Sequence, residues 1–318
     1  MKRAHAQRGA ALLLAMLTVT LVATFAATAL WQQWRAVEVE QSERARSQSA
    51  WVLVGALDWA RLILREDARA SNTDHLAEPW AVPLQESRMS TFLAAENGVN
   101  QGGDEGLPEV FLSGSIVDLQ SRMNVANLVD SNDQLIEKQM DAFKRLFELL
   151  GLPQAEFMTM AENLRRASQK QTDDGADVPL RPERFEQLAW LGVSPATLRV
   201  LEPYATLLPQ NTPINLNTAS AQVIAASTDV DLTAAQRLVQ ARNNNALRTV
   251  ADAGRLLDQV GLLTTTDYSV TSSFFEINGR LRMEGTVVSE RSLVKRATGR
   301  NPPVTTIWRQ RVAGERQP

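Results

Sequence analysis

The sequence predicts an α+β fold in which a long N-terminal helix packs on an antiparallel sheet, with a large all-helical insert between strands of that sheet. Three observations support this prediction. A helical pattern covers residues 10–69, strand patterns occupy residues 110–119 and 270–312, and the stretch between the two strand regions carries helix periodicity, caps and stops. Because strand patterns flank the helical block on both sides, we expect the two strand regions to join in one sheet.

Composition narrows the functional classes. The chain has 318 residues, a formal charge of -3, no cysteine and two histidines. The absence of cysteine excludes thiolate zinc sites, disulfide frameworks and cysteine nucleophiles. The acidic balance argues against a surface built to hold nucleic acid. His75 lies in a polar stretch that reads as a loop after a helix, which favours a loop role over membership of a Ser/His/Asp site.

The N-terminus carries a membrane-anchor pattern. Residues 2–8 contain three basic side chains and no acid, and the next 22 positions, 10–31, contain no charge. At ~1.5 Å rise per residue this segment spans roughly 30 Å, the thickness of a hydrocarbon core, and the basic flank is expected on the cytoplasmic side. An ordinary secretory signal cut after Ala29 is the alternative, but its apolar region is typically ~7 to 15 residues.

The helical pattern does not stop at the end of the apolar segment. From Trp31 to about Arg69 the chain has no proline and one glycine, Gly55, and its apolar residues recur among charges at helical spacing. Residues 10–31 and 32–69 therefore predict one long helix, with its first part in the membrane and its second part outside.

This N-terminal region resembles the type IV pilins and the pseudopilins of type II secretion. Members of that family are cut by a prepilin peptidase after a glycine that ends a basic leader, which matches Gly9 followed by Ala10 and makes residues 1–9 a leader peptide. The family's glutamate at the fifth position after the cut is replaced here by Leu14. That glutamate is thought to pair with the N-terminal amine of a neighbouring subunit, so a subunit without it does not need to dock onto one already in place. In lacking it, the chain resembles the protein K family of minor pseudopilins, which are held to sit at the filament tip.

Residues 70–119 are expected to form the first part of a pilin-like sheet. The stretch 71–108 is rich in turn signals, and strands are predicted at 110–112 and 116–119, with a bend at Gly114. The rest of the sheet is expected in residues 268–313, with Asn278-Gly279 as a hairpin turn. The predicted C-terminal strands are 274–277, 281–288, 293–294 and 304–312.

Two helical modules are expected between these strand regions, at 120–210 and 211–267. In the first, a capping box at 131–134 precedes a helix that stops at Gly151-Leu152-Pro153. Further helices are predicted at 154–168, 182–191, 195–206, 218–227, 233–243 and 249–260.

The second module opens with a recognisable string. Residues 214–219 resemble the entry of a helix-hairpin-helix, in which Asn217 and Thr218 can cap the first helix. The following hairpin, 227–231, has two aspartates and no glycine, so it would repel a phosphate. The string Asn215-Leu-Asn217-Thr218-Ala also resembles the Asn-x-Asn-Thr-Ala of the protein K family, which implies two modules related to the sterile-alpha-motif shape.

A second string of that family is matched by Asp118, Arg122 and Asn124. We interpret it structurally: Asp118 and Arg122 are expected to form an ion pair or to hydrogen-bond loop ends where the sheet passes into the helical insert.

Any metal site must use oxygen ligands, which favours calcium. The best cluster is Asp173, Asp174 and Asp177 around Gly175, with a solvated acidic loop as the alternative. Some members of the family bind calcium in a loop of the helical region, but the tyrosine pair often found there is missing. The stretch 130–133 lacks the glycine of an EF-hand and is interpreted as helix capping.

The resemblance implies a non-enzymatic minor pseudopilin of a type II secretion system, anchored once in the bacterial inner membrane with a periplasmic C-terminal domain. Its implied partners are minor pseudopilins I and J, the major pseudopilin G beneath them and the prepilin peptidase, with no nucleic acid. Two alternatives remain open at this point: a membrane-anchored helix-hairpin-helix protein for DNA uptake, and a secreted enzyme.

Overall fold

A computed structural model describes residues 4–88, 109–169, 178–283, 286–299 and 301–312. Contacts divide the chain into two units, one ending at Val54 and the other beginning at Gly55. The first unit is helical and carries the N-terminal part of α1 (Ala4–Ala70). Within the described residues, α1 is the helix whose length and composition would allow it to cross a membrane.

Threonine hydroxyls in this apolar stretch form hydrogen bonds within the helix itself. Thr20 and Thr28 donate to the carbonyls of Met16 and Thr24, at 3.0 and 2.9 Å. No hydroxyl of these two residues therefore needs water, which suits a helix placed in lipid.

The second unit combines a sheet with short helices. Its strands are β1 (Leu84–Arg88), β2 (Val110–Asp118), β3 (Met123–Asn124), β4 (Ala205–Thr206), β5 (Ile214–Asn215), β6 (Tyr268–Ser269), β7 (Phe274–Met283), β8 (Thr286–Arg296) and β9 (Val304–Val312). Its remaining α-helices are α2 (Glu137–Leu149), α3 (Gln154–Ser168), α4 (Pro195–Leu201), α5 (Ala221–Thr228), α6 (Leu232–Asn244) and α7 (Val250–Leu256). Short 3₁₀ helices cover Pro79–Ala81, Leu119–Ser121, Val125–Leu128 and Phe185–Leu191.

The main sheet has the order β1-β2-β7-β8-β9, and every neighbouring pair is antiparallel. Strands from both sides of the helical block thus join in one sheet, as the sequence predicts. The connections of the insert leave and enter this sheet at one place, because Asp118 at the end of β2 pairs with Phe275 at the start of β7.

The hairpin turn predicted at Asn278-Gly279 is wrong. These residues lie inside β7, where Gly279 is paired with Gly114 of β2 and with Glu290 of β8. A side chain on Gly114 would place its Cβ 2.8 Å from the carbonyl oxygen of Asn278, so glycine here permits a close approach of two strands. For the same reason Gly114 does not interrupt β2, and the two predicted strands at 110–119 form one.

The end of α1 is fixed to the sheet by a small apolar core. Leu57, Ala60 and Leu64 pack with Trp80, and a row of sheet residues completes the cluster: Phe275, Ile277, Val294 and Val304. The Trp80 and Phe275 rings meet edge to face, with centroids 5.3 Å apart. Each fully buried side chain of this size contributes about 1.5–3 kcal/mol relative to exposure.

The helical insert has one continuous hydrophobic core that includes residues of both expected modules. In α2, Met140, Phe143 and Phe147 recur at spacings of three and four and are buried, as an amphipathic helix requires. The Phe143 ring stacks on that of Phe157 in α3 at a centroid distance of 6.0 Å. The helix predicted at 154–168 is confirmed as α3.

Three local predictions in the insert are wrong, two of them because polar side chains bond elsewhere and the third because the backbone pairs as a strand. Instead of a capping box at 131–134, the Asp130 carboxylate accepts from the amides of Asn132 and Gln134, and α2 begins later, after Ile136. Ser220 caps α5, so Asn217 and Thr218 are released for other contacts. The helix expected to reach residue 206 ends at Leu201, because β4 pairs in parallel with β3.

Candidate functional site at the junction of sheet and insert

Asp118 is the centre of a buried polar network where the sheet passes into the insert. Its Oδ2 accepts hydrogen bonds from Thr218 Oγ1 at 2.5 Å, Ser272 Oγ at 2.6 Å and Asn215 Nδ2 at 3.1 Å. Its Oδ1 accepts from the amide of Gln120 at 2.7 Å and so starts the 3₁₀ turn that ends β2. One carboxylate therefore joins three segments that are far apart in sequence.

Asn215 extends this network to the chain after α1. Its Nδ2 also donates to the carbonyl of Asp74 at 3.1 Å and to Ser272 Oγ at 3.0 Å, and its Oδ1 accepts from the amide of Asn217 at 2.9 Å. Since an unpaired buried amide is costly, these contacts explain why an asparagine stands at this position.

Asn217 and Asn124 brace the insert internally. Asn217 accepts from the amide of Leu247 at 2.9 Å and donates to the carbonyl of the same residue at 3.0 Å, which ties the start of the second module to the loop before α7. Asn124 Oδ1 accepts from the amides of Ala126 and Leu208, both at 3.1 Å, and its Nδ2 donates to the carbonyl of Gln210 at 2.8 Å. Both asparagine side chains therefore hold main-chain segments of the insert together by hydrogen bonds.

Arg122 does not pair with Asp118 among the described residues. It is half-buried near Glu276 and Glu202, and burial lowers the pKa of its guanidinium. The ion-pair half of the sequence expectation is thus not what the structure shows, whereas Asp118 does hydrogen-bond a loop end. Arg291 of β8 takes the bridging role instead, with Glu186 of the insert at 3.0 Å and Glu276 of β7 at 2.9 Å.

Sequence reasoning missed Ser272, Asp74 and Arg296. The Ser272 amide donates to Asp74 Oδ2 at 2.7 Å, and the Arg296 guanidinium donates to Asp74 and to the carbonyl of Ser272. These residues lie outside both strings that resemble the protein K family, which end at Asn124 and Ala219. No local pattern marks them, because the fold alone brings them together.

Burial governs the electrostatics of the junction. Removal from water raises the pKa of Asp118 to about 6, although hydrogen bonds from Ser272 and Thr218 oppose that change. The two hydroxyls donate to the carboxylate, whereas His75 accepts from the amide of Ala77 and lies beside Glu78. This geometry holds together segments that are far apart in sequence.

The hairpin of the second module is closed to phosphate by its own carboxylates. Asp231 caps α6 by accepting from the amide of Ala234 at 2.8 Å, so it occupies the helix N-terminus where an anion would bind. Asp229 has a left-handed backbone with φ of 58° and lies 3.5 Å from Arg145.

The other residues singled out in the sequence are placed as follows. Gly9, Ala10 and Leu14 lie within α1, where Leu14 is 68% exposed. The acidic candidates Asp173, Asp174 and Asp177 lie outside the described residues, so calcium binding there stays a prediction.

Comparison with known proteins agrees with this architecture. Two family models described as type II secretion system protein K match the chain, one over residues 121–210 and the other over 214–271. A protein K of the type II secretion system from Pseudomonas aeruginosa is 26% identical over 295 residues, covering 85% of this chain and 83% of the relative. Another from Pectobacterium carotovorum subsp. carotovorum is 26% identical over 324 residues, covering 91% and 92%.

A solved structure shares the fold. One chain of the crystal structure of the GspK-GspI-GspJ complex from the type 2 secretion system of enterotoxigenic Escherichia coli matches with a TM-score of 0.60 and 17% identity. The match covers 86% of this chain and 99% of that one.

Fold, insert and matching models together define a pseudopilin of the type II secretion system, a class of structural components. Within that class, the chain belongs to the protein K family of minor pseudopilins.

Proposed function

We propose that this chain sits at the tip of a periplasmic pseudopilus and starts its assembly together with minor pseudopilins I and J, after which the major pseudopilin G adds beneath. It acts mechanically, without catalysis. A single pass through the inner membrane leaves the short N-terminus in the cytoplasm and the unit that begins at Gly55 in the periplasm. Prepilin peptidase removes residues 1–9 by cutting between Gly9 and Ala10.

The observation that carries this proposal is the apolar surface of α1. Large side chains between Leu12 and Trp31 are exposed in the isolated chain, and Leu14 stands where a carboxylate is expected in other pseudopilins. A carboxylate in the bilayer costs several kcal/mol unless it is paired. With leucine at that position, the helix needs no partner amine and can associate by apolar packing alone, so it can enter the membrane before any other subunit is in place.

The placement of the insert supports a capping position. The insert leaves and re-enters the sheet at one end of two neighbouring strands, β2 and β7. Arg296 at that end of β8 contacts the carbonyl of Leu64 in the last turns of α1. A subunit stacked against this end would meet the insert and not an open sheet, which would stop the filament there.

The partners are proposed from the similar solved structure, in which the GspK chain is in complex with GspI and GspJ. The chain has no cysteine, so single cysteines can report contacts without background. We place one at Val22 in the apolar segment and a control at Leu180 on the insert, which is 71% exposed.

With a single cysteine also introduced into the apolar N-terminal helix of I or of J, thiol cross-linking in intact membranes should join the Val22→Cys variant to that subunit, and this product should disappear in cells that lack either subunit. The Leu180→Cys control should give no such product. If Val22→Cys cross-links only to itself, or equally well when I and J are deleted, the proposed tip complex is wrong.

A further inference from the structure

Three buried carboxylates converge where α1 ends. Asp67 lies in the last turn of α1, and Asp74 and Glu78 lie in the loop that follows. Their side chains are only 7%, 3% and 7% exposed. One carboxylate oxygen from each lies within 4.8 Å of the other two.

The positive charge that faces this cluster is too small to neutralise it. Among the described residues, Arg296 donates to Asp67 at 3.1 Å and also to Asp74, and no second arginine or lysine pairs with the three carboxylates. When all three are ionised, the carboxylates outnumber this guanidinium by two in a space from which water is largely excluded, and His75, 3.7 Å from Glu78, is the other neighbouring group that can carry positive charge. Burying unpaired charge is costly, so such a cluster calls for a further cation.

Glu78 supplies an independent sign that a ligand belongs here. Its Oε2 accepts from the amide of His75 at 2.9 Å and from Trp80 Nε1 at 2.7 Å. Its Oε1 is buried and has no hydrogen-bond partner, with His75 Nε2 no closer than 3.7 Å. Buried acceptors are nearly always satisfied, so an unsatisfied carboxylate oxygen in an acidic cluster marks an open coordination position.

We propose that Asp67, Asp74 and Glu78 bind a divalent oxygen-preferring cation of the calcium type. Calcium binds oxygens at 2.3–2.6 Å, so ligands on opposite sides of the ion lie up to about 5 Å apart, which matches the spacing of this cluster. A charge of two also balances the two uncompensated carboxylates. Magnesium prefers shorter bonds and retains most of its water, which this buried position disfavours.

The bound ion would tie the end of α1 to the loop after it, beside the network centred on Asp118. This site is separate from the acidic loop at 173–177, and it does not depend on the proposed function.

Terbium luminescence offers a direct test on the full chain in detergent, after metal removal with a chelator. Trp80 donates to Glu78, so its indole is close enough to sensitise a terbium ion held there. The wild type should show sensitised emission that calcium displaces. Glu78→Gln preserves the size of the side chain but removes its charge, and it should weaken calcium binding roughly tenfold or more.

The matched control replaces Asp173, Asp174 and Asp177 with asparagine and should retain the calcium-displaceable emission. Circular dichroism of Glu78→Gln is compared with that of the wild type to check that the variant folds, and Asp67→Asn serves as a second variant. The proposal is overturned if the wild type shows no calcium-displaceable emission, if both cluster variants bind as the wild type does, or if only the loop variant loses binding. An infrared carboxylic-acid band that persists at saturating calcium in the wild type and is absent from Asp67→Asn would also overturn it, because the cluster would then hold a proton.

Discussion

At the scale of single residues, Asp118 has the largest structural consequence. Four donors converge on its carboxylate, and three of them come from residues beyond the insert's first turn. The strings of the protein K family identified Asp118, Asn215 and Thr218 from sequence, but not their mutual contact. Ser272 and Asp74 could not be found in this way, because a serine or aspartate acquires its role from a partner more than a hundred residues away.

Replacing Asp118 with alanine should lower the free energy of unfolding by about 2–4 kcal/mol. The change removes the carboxylate that accepts from the hydroxyls of Ser272 and Thr218, and it removes one of the three acceptors of the Asn215 amide, so buried donors lose their partner. Chemical denaturation measures the effect. Asp58→Ala is the control, because Asp58 forms an exposed pair with Arg61 that is worth less than about 1 kcal/mol. Equal losses in both variants would contradict the role given to Asp118.

The same carboxylate should make stability depend on pH. Its pKa is raised by burial to about 6, above the ordinary value of 3.8, so protonated Asp118 favours the folded state. Its contribution is fully present below pH 3.8 and is lost as the pH rises through about 6. The rise of about two units in the pKa of Asp118 corresponds to a change of roughly 3 kcal/mol at most in the free energy of unfolding.

Asp118→Asn removes this titration while keeping the shape of the side chain. The free energy of unfolding of Asp118→Asn, relative to that of the wild type, should therefore rise between pH 4 and pH 6 and level off above. Denaturation curves of both proteins at a series of pH values measure the difference. Two stability profiles that run parallel across this range would show that Asp118 does not titrate as described.

At the scale of elements, sequence patterns correctly predicted those helices whose formation depends mainly on their own residues. The long helix and α3 follow from periodicity and from the absence of breakers, and both are present. The predicted turn at Asn278-Gly279 failed because a glycine serves equally well in a turn and at a close approach of strands. Only the pairing of Gly114 with Gly279 distinguishes the two cases, and that pairing is not visible in one sequence.

Gly114→Ala and Gly55→Ala form a matched pair that tests this reading. The new Cβ at Gly114 would lie 2.8 Å from the Asn278 carbonyl oxygen, whereas nothing lies within 4 Å at Gly55. Gly114→Ala should destabilise the protein by about 1–3 kcal/mol, as expected for overpacking. Gly55→Ala lies in a helix and should be neutral or stabilising by up to about 1 kcal/mol. Thermal unfolding of both variants decides the matter, and a harmless Gly114→Ala would refute the close approach.

At the scale of the whole molecule, the second unit combines a sheet, the end of a long helix and a helical insert with its own core. The layer architecture was predictable, because strand patterns on both sides of a helical block leave few arrangements. Contacts across the junction were not, since Arg291 and Arg296 are joined to their acidic partners only by the fold. The apolar N-terminal helix gives this unit an anchor, and the account of its function rests on that helix being retained in the mature protein.

The intact mass and N-terminal sequence of the protein from bacterial membranes, with and without prepilin peptidase, test this central claim most directly. The account predicts a mature chain that begins at Ala10 when the peptidase is present and keeps its leader when the peptidase is absent. A Gly9→Val variant should stay uncut, whereas Leu14→Ile, four residues beyond Ala10, should be cut normally. A mature chain that begins at Leu30 in every case would make the apolar segment a discarded signal and would contradict the pseudopilin mechanism.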